Sequence, residues 1–236
     1  MILTLGVVFV LLGLWQLDRH RERIESNETI AARLQEPPVS LDILLAEAGE
    51  DLSSIEYRRA TFTGIFAPAD EVLIRSQVHL GAGGFHVVTP LVGEGGAVLV
   101  NRGWVPISMD RVPVEHAPPP AGQEEIEGWV RLSQERPALG SQDPATGRLE
   151  IMSRIDIPRI SAQVNHPLAP VYIVMTGGEE GLPESVRLPS FNENGPHLGY
   201  AIQWFGFALV GLVGYLLLVR RRLAQTGGRA RPSTTS

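Results

Sequence analysis

The chain has 236 residues, 44% of them hydrophobic, with a formal charge of −6 and no cysteine. That length leaves room for one sizeable globular domain besides membrane segments, and the negative balance offers no basic field for nucleic acid. The lack of thiols excludes disulfides, thiolate metal sites and iron–sulfur ligation by protein sulfur, and the four methionines do not cluster as a soft-ligand copper carrier would need.

In chain order, the first feature is an apolar run from Ile2 to Leu17, closed by Trp15-Gln16-Leu17-Asp18-Arg19. No basic stretch precedes it and no small-x-small cleavage site follows, so the expectation over residues 1–17 is an uncleaved transmembrane helix rather than a secretory signal. About 16 residues is slightly short of the ~20 that span a bilayer. Either the true start lies upstream or the helix continues through Trp15, an interfacial anchor.

Asp18 to Gln35 is charged and free of Gly and Pro, so the helix is expected to run on into water until Glu36-Pro37-Pro38 stops it. Ser40 then caps a short helix, Leu41 to Ala48, that Gly49 ends. From Tyr57 the texture changes to short β-branched runs bounded by Gly, Pro or Asp. These predict strands over 57–66, 72–78, 85–92, 97–105, 126–132, 149–152 and 171–175, with a minor helix over 157–164. Gly81-Ala82-Gly83-Gly84 and Gly93-Glu94-Gly95-Gly96 sit at hairpin spacing and lack the Lys-Ser/Thr of a phosphate loop. Pro118-Pro119-Pro120 is a stiff connector. Residues 18–196 thus read as an extracytoplasmic α+β domain built on one antiparallel sheet or open barrel.

Leu198 to Val219 carries no charge, and about 22 residues at roughly 1.5 Å each cover the ~30 Å of a bilayer core. A second transmembrane helix is expected over 197–219, with Pro196 in its first turn and Asn194 or Gly195 as its cap. A basic tail, 220–236, follows and is expected to be disordered from Thr226. Arg220, Arg221, Arg222, Arg229 and Arg231 outnumber Arg19, Arg21 and Arg23, so the positive-inside rule puts both termini in the cytoplasm.

Catalytic signatures are missing: there is no G-x-S-x-G, H-E-x-x-H or P-loop, and the chain is not expected to be an enzyme. His20, His79, His86, His116 and His166 are scattered and read as solvated or hydrogen-bonded structural residues. His197 differs by its setting. With Tyr200, Trp204, Phe207 or Ala208, Gly211 and Tyr215 it forms one helical stripe. Gly199, Gln203 and Gly206 make an adjacent seam that suits close helix approach. With opposite chain directions, Trp15 and Gln16 fall at the depth of Tyr200 to Trp204 in the outer leaflet. Two readings stand side by side: an ordinary interfacial aromatic belt, or a haem site in which the neutral His197 imidazole is an axial ligand.

Three motifs carry a family resemblance. Leu12-Gly13-Leu14-Trp15-Gln16-Leu17-x-Arg19 opens the chain. Thr89-Pro90-Leu91 with Val98-Leu99-Val100-Asn101-Arg102-Gly103-Trp104-Val105-Pro106 stands in the middle, and His197-Leu198-x-Tyr200-Ala201-x-Gln203-Trp204-Phe205 near the end. In this order they resemble the Surfeit-locus cytochrome oxidase assembly proteins. The resemblance implies an assembly factor for a haem-copper terminal oxidase, acting as haem a enters the catalytic subunit and binding haem through His197. Tyr200, Gln203, Trp204, Trp15 and Gln16 would surround the cofactor. Asn101, Arg102, Gly103 and Trp104 would serve the fold or a partner. The partners implied are the oxidase catalytic subunit, the haem a synthesis machinery and membrane lipid, in a bacterial plasma membrane. The alternative is a membrane-anchored scaffold that holds an assembly intermediate without binding cofactor.

Overall fold

Strands rich in Val, Ile and Thr alternate with tight turns between two long helices, and five of those strands close on themselves. The computed structural model describes residues 2–134, 143–176, 181–186 and 197–227. It divides into two units, Met1–Thr29 with Ser190–Ser236 and Ile30–Pro189.

In the larger unit the strands are β1 (Val39–Ser40), β2 (Arg59–Phe66), β3 (Val72–His79), β4 (Ala82–Gly93), β5 (Gly96–Pro106), β6 (Gln123–Leu132), β7 (Ile151–Met152) and β8 (Leu168–Met175). They form one sheet in the order β1-β2-β6-β8-β5-β4-β3-β7, and a further β2–β4 pairing closes β2, β6, β8, β5 and β4 into a barrel. Closure is made where Ile65 pairs with Val92 and Phe66 with Leu91. Gly64 allows it, because a Cβ there would stand 2.5 Å from the Val92 carbonyl oxygen.

The expected antiparallel sheet is therefore corrected to a closed, mixed one. β5 pairs in parallel with β8, β3 with β7, and β1 with β2. A parallel partner must arrive by a long crossover, and here β6 and the following segment lie between β5 and β8. Nothing in a strand's own alternation names its neighbour.

The strand bounds lie close to those expected, with differences at the turns. His79 pairs with Ala82, so the first hairpin turns at Leu80-Gly81 and the remaining glycines belong to β4. Gly93 pairs with Gly96 around Glu94-Gly95, as the spacing predicts. Helix α2 (Leu41–Ala48) ends at Gly49 with φ 55, although Ser40 makes no side-chain capping bond. Helix α3 covers only Ile157–Ser161.

Every closed strand contributes to one apolar cluster, which includes Ala60, Leu91, Val98, Val100, Val130 and Ile173, and α2 adds Leu41 and Leu44. The neighbouring residues of the same strands, Val88, Leu99, Trp129 and Tyr172, pack outward against Ile155, Ile157 and Ile160. Both faces of β5 are thus covered, which is why Ala97 to Val100 reads as a continuous apolar run instead of an alternating one.

In the smaller unit, α1 starts at Ile2 and α4 covers His197–Gly227. Helix α1 extends to Gln35, so its last turns belong to the larger unit. Among the described residues one stretch, Leu198–Arg222, is long and apolar enough to cross a membrane. The apolar part of α1 stops at Leu17, and a full span is not shown for it. Thr226 and Gly227 are helical, which corrects the expected start of the disordered tail; Asn194, Gly195 and Pro196 lie outside the described residues.

Candidate functional site

Two places bring motif residues together, one in each unit. In the helix unit α1 and α4 run antiparallel. The Phe9 ring lies 5.5 Å from Trp204 and 5.8 Å from Phe207, and Trp204 meets Phe207 edge-on at 5.9 Å. The Phe205 ring seats on Gly13, where a Cβ would come within 2.7 Å of it. Ala201 is buried on the opposing helix. Deeper along the pair the helices leave an apolar groove of ≈ 470 Å³ between Gly6, Val7 and Leu11 on one side and Phe205, Leu212 and Tyr215 on the other.

The contact face differs from the glycine seam expected at Gly199, Gln203 and Gly206. Nothing lies within 4 Å of a Cβ built at Gly199 or Gly206, and Gln203 is exposed. Bulky Phe205 seats over Gly13 because one glycine on α1 gives it space; glycines on α4 would offer no knob to fill that hole. Of the expected cofactor residues, Trp204 and Gln16 are half-buried, whereas Trp15 is 55% and Tyr200 48% exposed. His197 opens α4, but its side chain lies outside those described.

His20 reads from the sequence as a solvated or hydrogen-bonded structural residue. It stands seven residues after Gly13 and four after Gln16, hence on the same face of α1. Its Nδ1 is buried and has no hydrogen-bond partner.

In the β domain Asn101, Arg102 and Trp104 are all buried, Arg102 to 3% exposure. Arg102 donates through Nε to Thr89 Oγ1 at 2.9 Å and through Nη2 to Glu71 Oε2 at 2.8 Å and to the Ala117 carbonyl at 2.9 Å. Thr89 Oγ1 donates to the same Glu71 oxygen at 2.7 Å, and the Val114 N–H donates to the other at 2.8 Å. Burial pulls the Arg102 pKa down and the Glu71 carboxylate pulls it back up. The network ties the segment around 114–117, which contains no strand or helix, to the barrel wall. Its hydrogen bonds are internal, and Arg102 also lines a cleft of ≈ 420 Å³ beside Phe66, Ile126 and Pro183. Glu71, an acid ahead of an apolar strand, is the partner that sequence reading missed.

Beside it, Trp104 and Glu184 exchange backbone hydrogen bonds at 2.7 and 2.8 Å. Gly103 makes this approach feasible: its φ is 142°, and a Cβ would meet the Glu184 carbonyl oxygen at 2.5 Å. His79 stacks on Trp104 at 5.3 Å and reaches Glu184 Oε2 at 2.7 Å. Asn101 donates its amide to His86 Nδ1 at 3.2 Å and accepts from the Gly103 N–H at 3.2 Å. Burial, with a smaller repulsion from His79, lowers the His86 pKa to about 4, so this imidazole is neutral. Among the described residues no group of His, Asp and Glu could hold a metal ion.

A model of the SURF1 family matches residues 3–209. The chain belongs to the SURF1 family. It is the family of cytochrome c oxidase assembly proteins that the three sequence motifs resemble. A SURF1-like protein of Mycobacterium tuberculosis is 30% identical over 211 residues, covering 87% of this chain and 76% of that one. A SURF1-like protein of Rickettsia felis is 25% identical over 227 residues, covering 93% and 95%. One of Monosiga brevicollis is 28% identical over 251 residues, covering 98% and 91%. The SURF1 match includes α1, the whole barrel and the first turns of α4, hence both places described above. One candidate membrane helix together with this family membership fits a membrane protein.

Proposed function

We propose that this SURF1-family chain is an assembly factor for a haem-copper terminal oxidase and that it binds haem a at the outer end of the α1–α4 pair. His197 is the axial ligand, and haem a is cargo passed to the catalytic subunit. The observation that carries the reading is the packing of α1 on α4 at Gly13 and Phe205, which joins the first and last family motifs in one place.

The donor set suits the cargo. Imidazole is a good iron ligand, and the chain has no cysteine thiolate to compete with it. Phe9, Trp204 and Phe207 supply an aromatic wall, while a porphyrin's propionates prefer the water beyond the helix ends.

In the same proposal α1 and α4 both span a bacterial plasma membrane, both termini are cytoplasmic and the barrel lies outside. The oxidase catalytic subunit is the receiving partner and the haem a synthesis machinery the supplier. Support comes from the apolar run before Leu17, the Arg220-Arg221-Arg222 cluster and the bacterial relatives.

The deciding experiment is the visible spectrum of the full chain purified from membranes that make haem a. The wild type shows bound haem; His197→Ala loses it or shifts its spectrum strongly while still inserting, because Leu198–Arg222 remains intact. Full occupancy with an unchanged spectrum removes the ligand assignment. A haem-free wild type that still supports oxidase assembly leaves the scaffold reading. Reporter fusions check topology: residue 104 outside the cytoplasm and residue 225 inside.

A further inference from the structure

We infer that the tip of the β3–β4 hairpin, Val78 and Leu80 with the adjoining Ile107, inserts into the outer face of the lipid bilayer and holds the barrel on the membrane. The inference rests on the topology proposed above, in which α4 spans the membrane and the barrel lies outside it.

Local conformation is the first support. Leu80 and Gly81 form the two-residue turn with φ 49 and 84, and positive φ at both places suits Asn-Gly or Asp-Gly. Leucine is disfavoured there twice, by its bulk in the left-handed region and by water, since it is 76% exposed. A small polar residue would serve the turn better, so the leucine serves something outside it.

Its neighbours extend the patch. Val78 is 74% and Ile107 67% exposed. Val78 pairs with Gly83, and the Ile107 N–H donates to the Gly83 carbonyl at 3.2 Å, so the two aliphatic residues flank a glycine that puts no side chain between them. Neither Gln77 to Gly93 nor Gly103 to Met109 contains an Asp, Glu, Lys or Arg. The hairpin turn at the other end of β4 carries Glu94 instead. A contiguous exposed apolar patch marks a site of contact.

Chain length names the occupant. His79, within the patch, reaches Glu184 Oε2 at 2.7 Å. From Val186, two residues beyond Glu184, residues 187–196 lead to His197, the first of α4. A segment of that length reaches about 35 Å even when fully extended. The hairpin is thus tethered within reach of the membrane, and an insertion too weak to last between separate molecules is populated when it is intramolecular. Three aliphatic side chains on a hairpin tip fall short of a stable protein interface, which takes about 800 Å² from each partner. A bilayer accepts an apolar wedge of any shape and stabilises it in proportion to its area.

The test uses the full chain in nanodiscs of phosphatidylethanolamine and phosphatidylglycerol, with one nitroxide label at a time; the lack of native cysteine makes the labelling specific. Collision with oxygen, which enters lipid, is compared with collision with a nickel chelate, which stays in water. Val210→Cys, on an exposed face of α4, reports the bilayer, and Gly95→Cys, in the other hairpin turn, reports water. The Leu80→Cys label is expected to follow Val210, with nickel collisions several-fold fewer than at Gly95. Adding Val78→Asp and Ile107→Asp is expected to return it to the Gly95 value. A Leu80 label as open to nickel as Gly95, beside a Val210 label in lipid, overturns the insertion and leaves the topology standing. Protection from both reagents means contact with a second copy and also overturns it, as does a label that stays in lipid in the double aspartate variant. A Val210 label exposed to nickel removes the topology and the insertion together.

Discussion

Arg102 holds Glu71 at 2.8 Å inside the β domain, where the two residues are 3% and 1% exposed. An ion pair so enclosed is weak evidence for stability in itself, because desolvation offsets most of the Coulomb attraction, but removing one partner strands a buried charge. Arg102→Met is therefore expected to destabilise the protein by about 3–5 kcal/mol. Combining it with Glu71→Leu should recover part of that loss, short of the hydrogen bond that the Val114 N–H forfeits. Urea unfolding followed by tryptophan fluorescence, with Trp104 and Trp129 as buried reporters, measures both. Equal stability of Arg102→Met and the wild type would contradict the buried-pair description.

Gly103 answers to geometry rather than charge. A side chain there meets Pro183 Cβ at 2.9 Å as well as the Glu184 carbonyl oxygen at 2.5 Å, and does so at a φ that L-residues avoid. The backbone strain alone is on the order of 1–3 kcal/mol, before the Trp104–Glu184 hydrogen bonds are disturbed. Gly103→Glu should lower the amount of protein in membranes several-fold, and oxidase assembly with it. Gly103→Ala should show the same defect more mildly, because the clash begins at Cβ. Normal abundance of both variants in quantitative blots would refute the account.

Much of the barrel was legible because strands announce themselves locally. β5 reads as apolar because both its faces are covered, and Gly93-Glu94-Gly95-Gly96 forms the hairpin its spacing suggests. Closure was not legible: it depends on Phe66 finding Leu91, and no periodicity encodes which strand edge meets which. The helix site was legible in its residue types but not in its faces. Gly199 and Gly206 look like a packing seam on α4, yet the hole belongs to Gly13 and the knob to Phe205. Glu71 and Arg102 are 31 positions apart, and sequence cannot pair them.

His86 predicts a pH dependence. Its pKa is lowered from 6.5 to about 4 in the folded domain, chiefly by burial and then by His79. Between those values the unfolded chain binds a proton that the folded one refuses, so stability is complete above about pH 6.5 and falls as the pH drops toward 4. A shift of this size corresponds to at most about 3 kcal/mol, less whatever water reaches the half-buried ring. Protonation of Nδ1 would also remove the acceptor that the Asn101 amide uses. His86→Gln should flatten this part of the curve. Denaturant midpoints at pH 7, 6 and 5 decide it: an unchanged slope in His86→Gln would assign the acid sensitivity elsewhere.

The helix contact makes the last prediction, and the lack of native cysteine makes it clean to read. Phe9→Cys with Phe207→Cys puts one thiol on each side of the helix contact, where the native rings stand 5.8 Å apart between centroids. A short bifunctional thiol crosslinker should join them within one chain. Adding Gly13→Leu to this pair is expected to cut the yield several-fold, because the new side chain must displace the Phe205 ring that lies 2.7 Å from the first added carbon. Adding Gly206→Leu should leave the yield nearly unchanged, since a Cβ at Gly206 meets nothing within 4 Å. Each variant adds a large apolar residue to one of the two long helices, so the difference between them reads the contact face rather than hydrophobicity. Equal yields from Gly13→Leu and Gly206→Leu would mean that the two helices do not pack through Gly13.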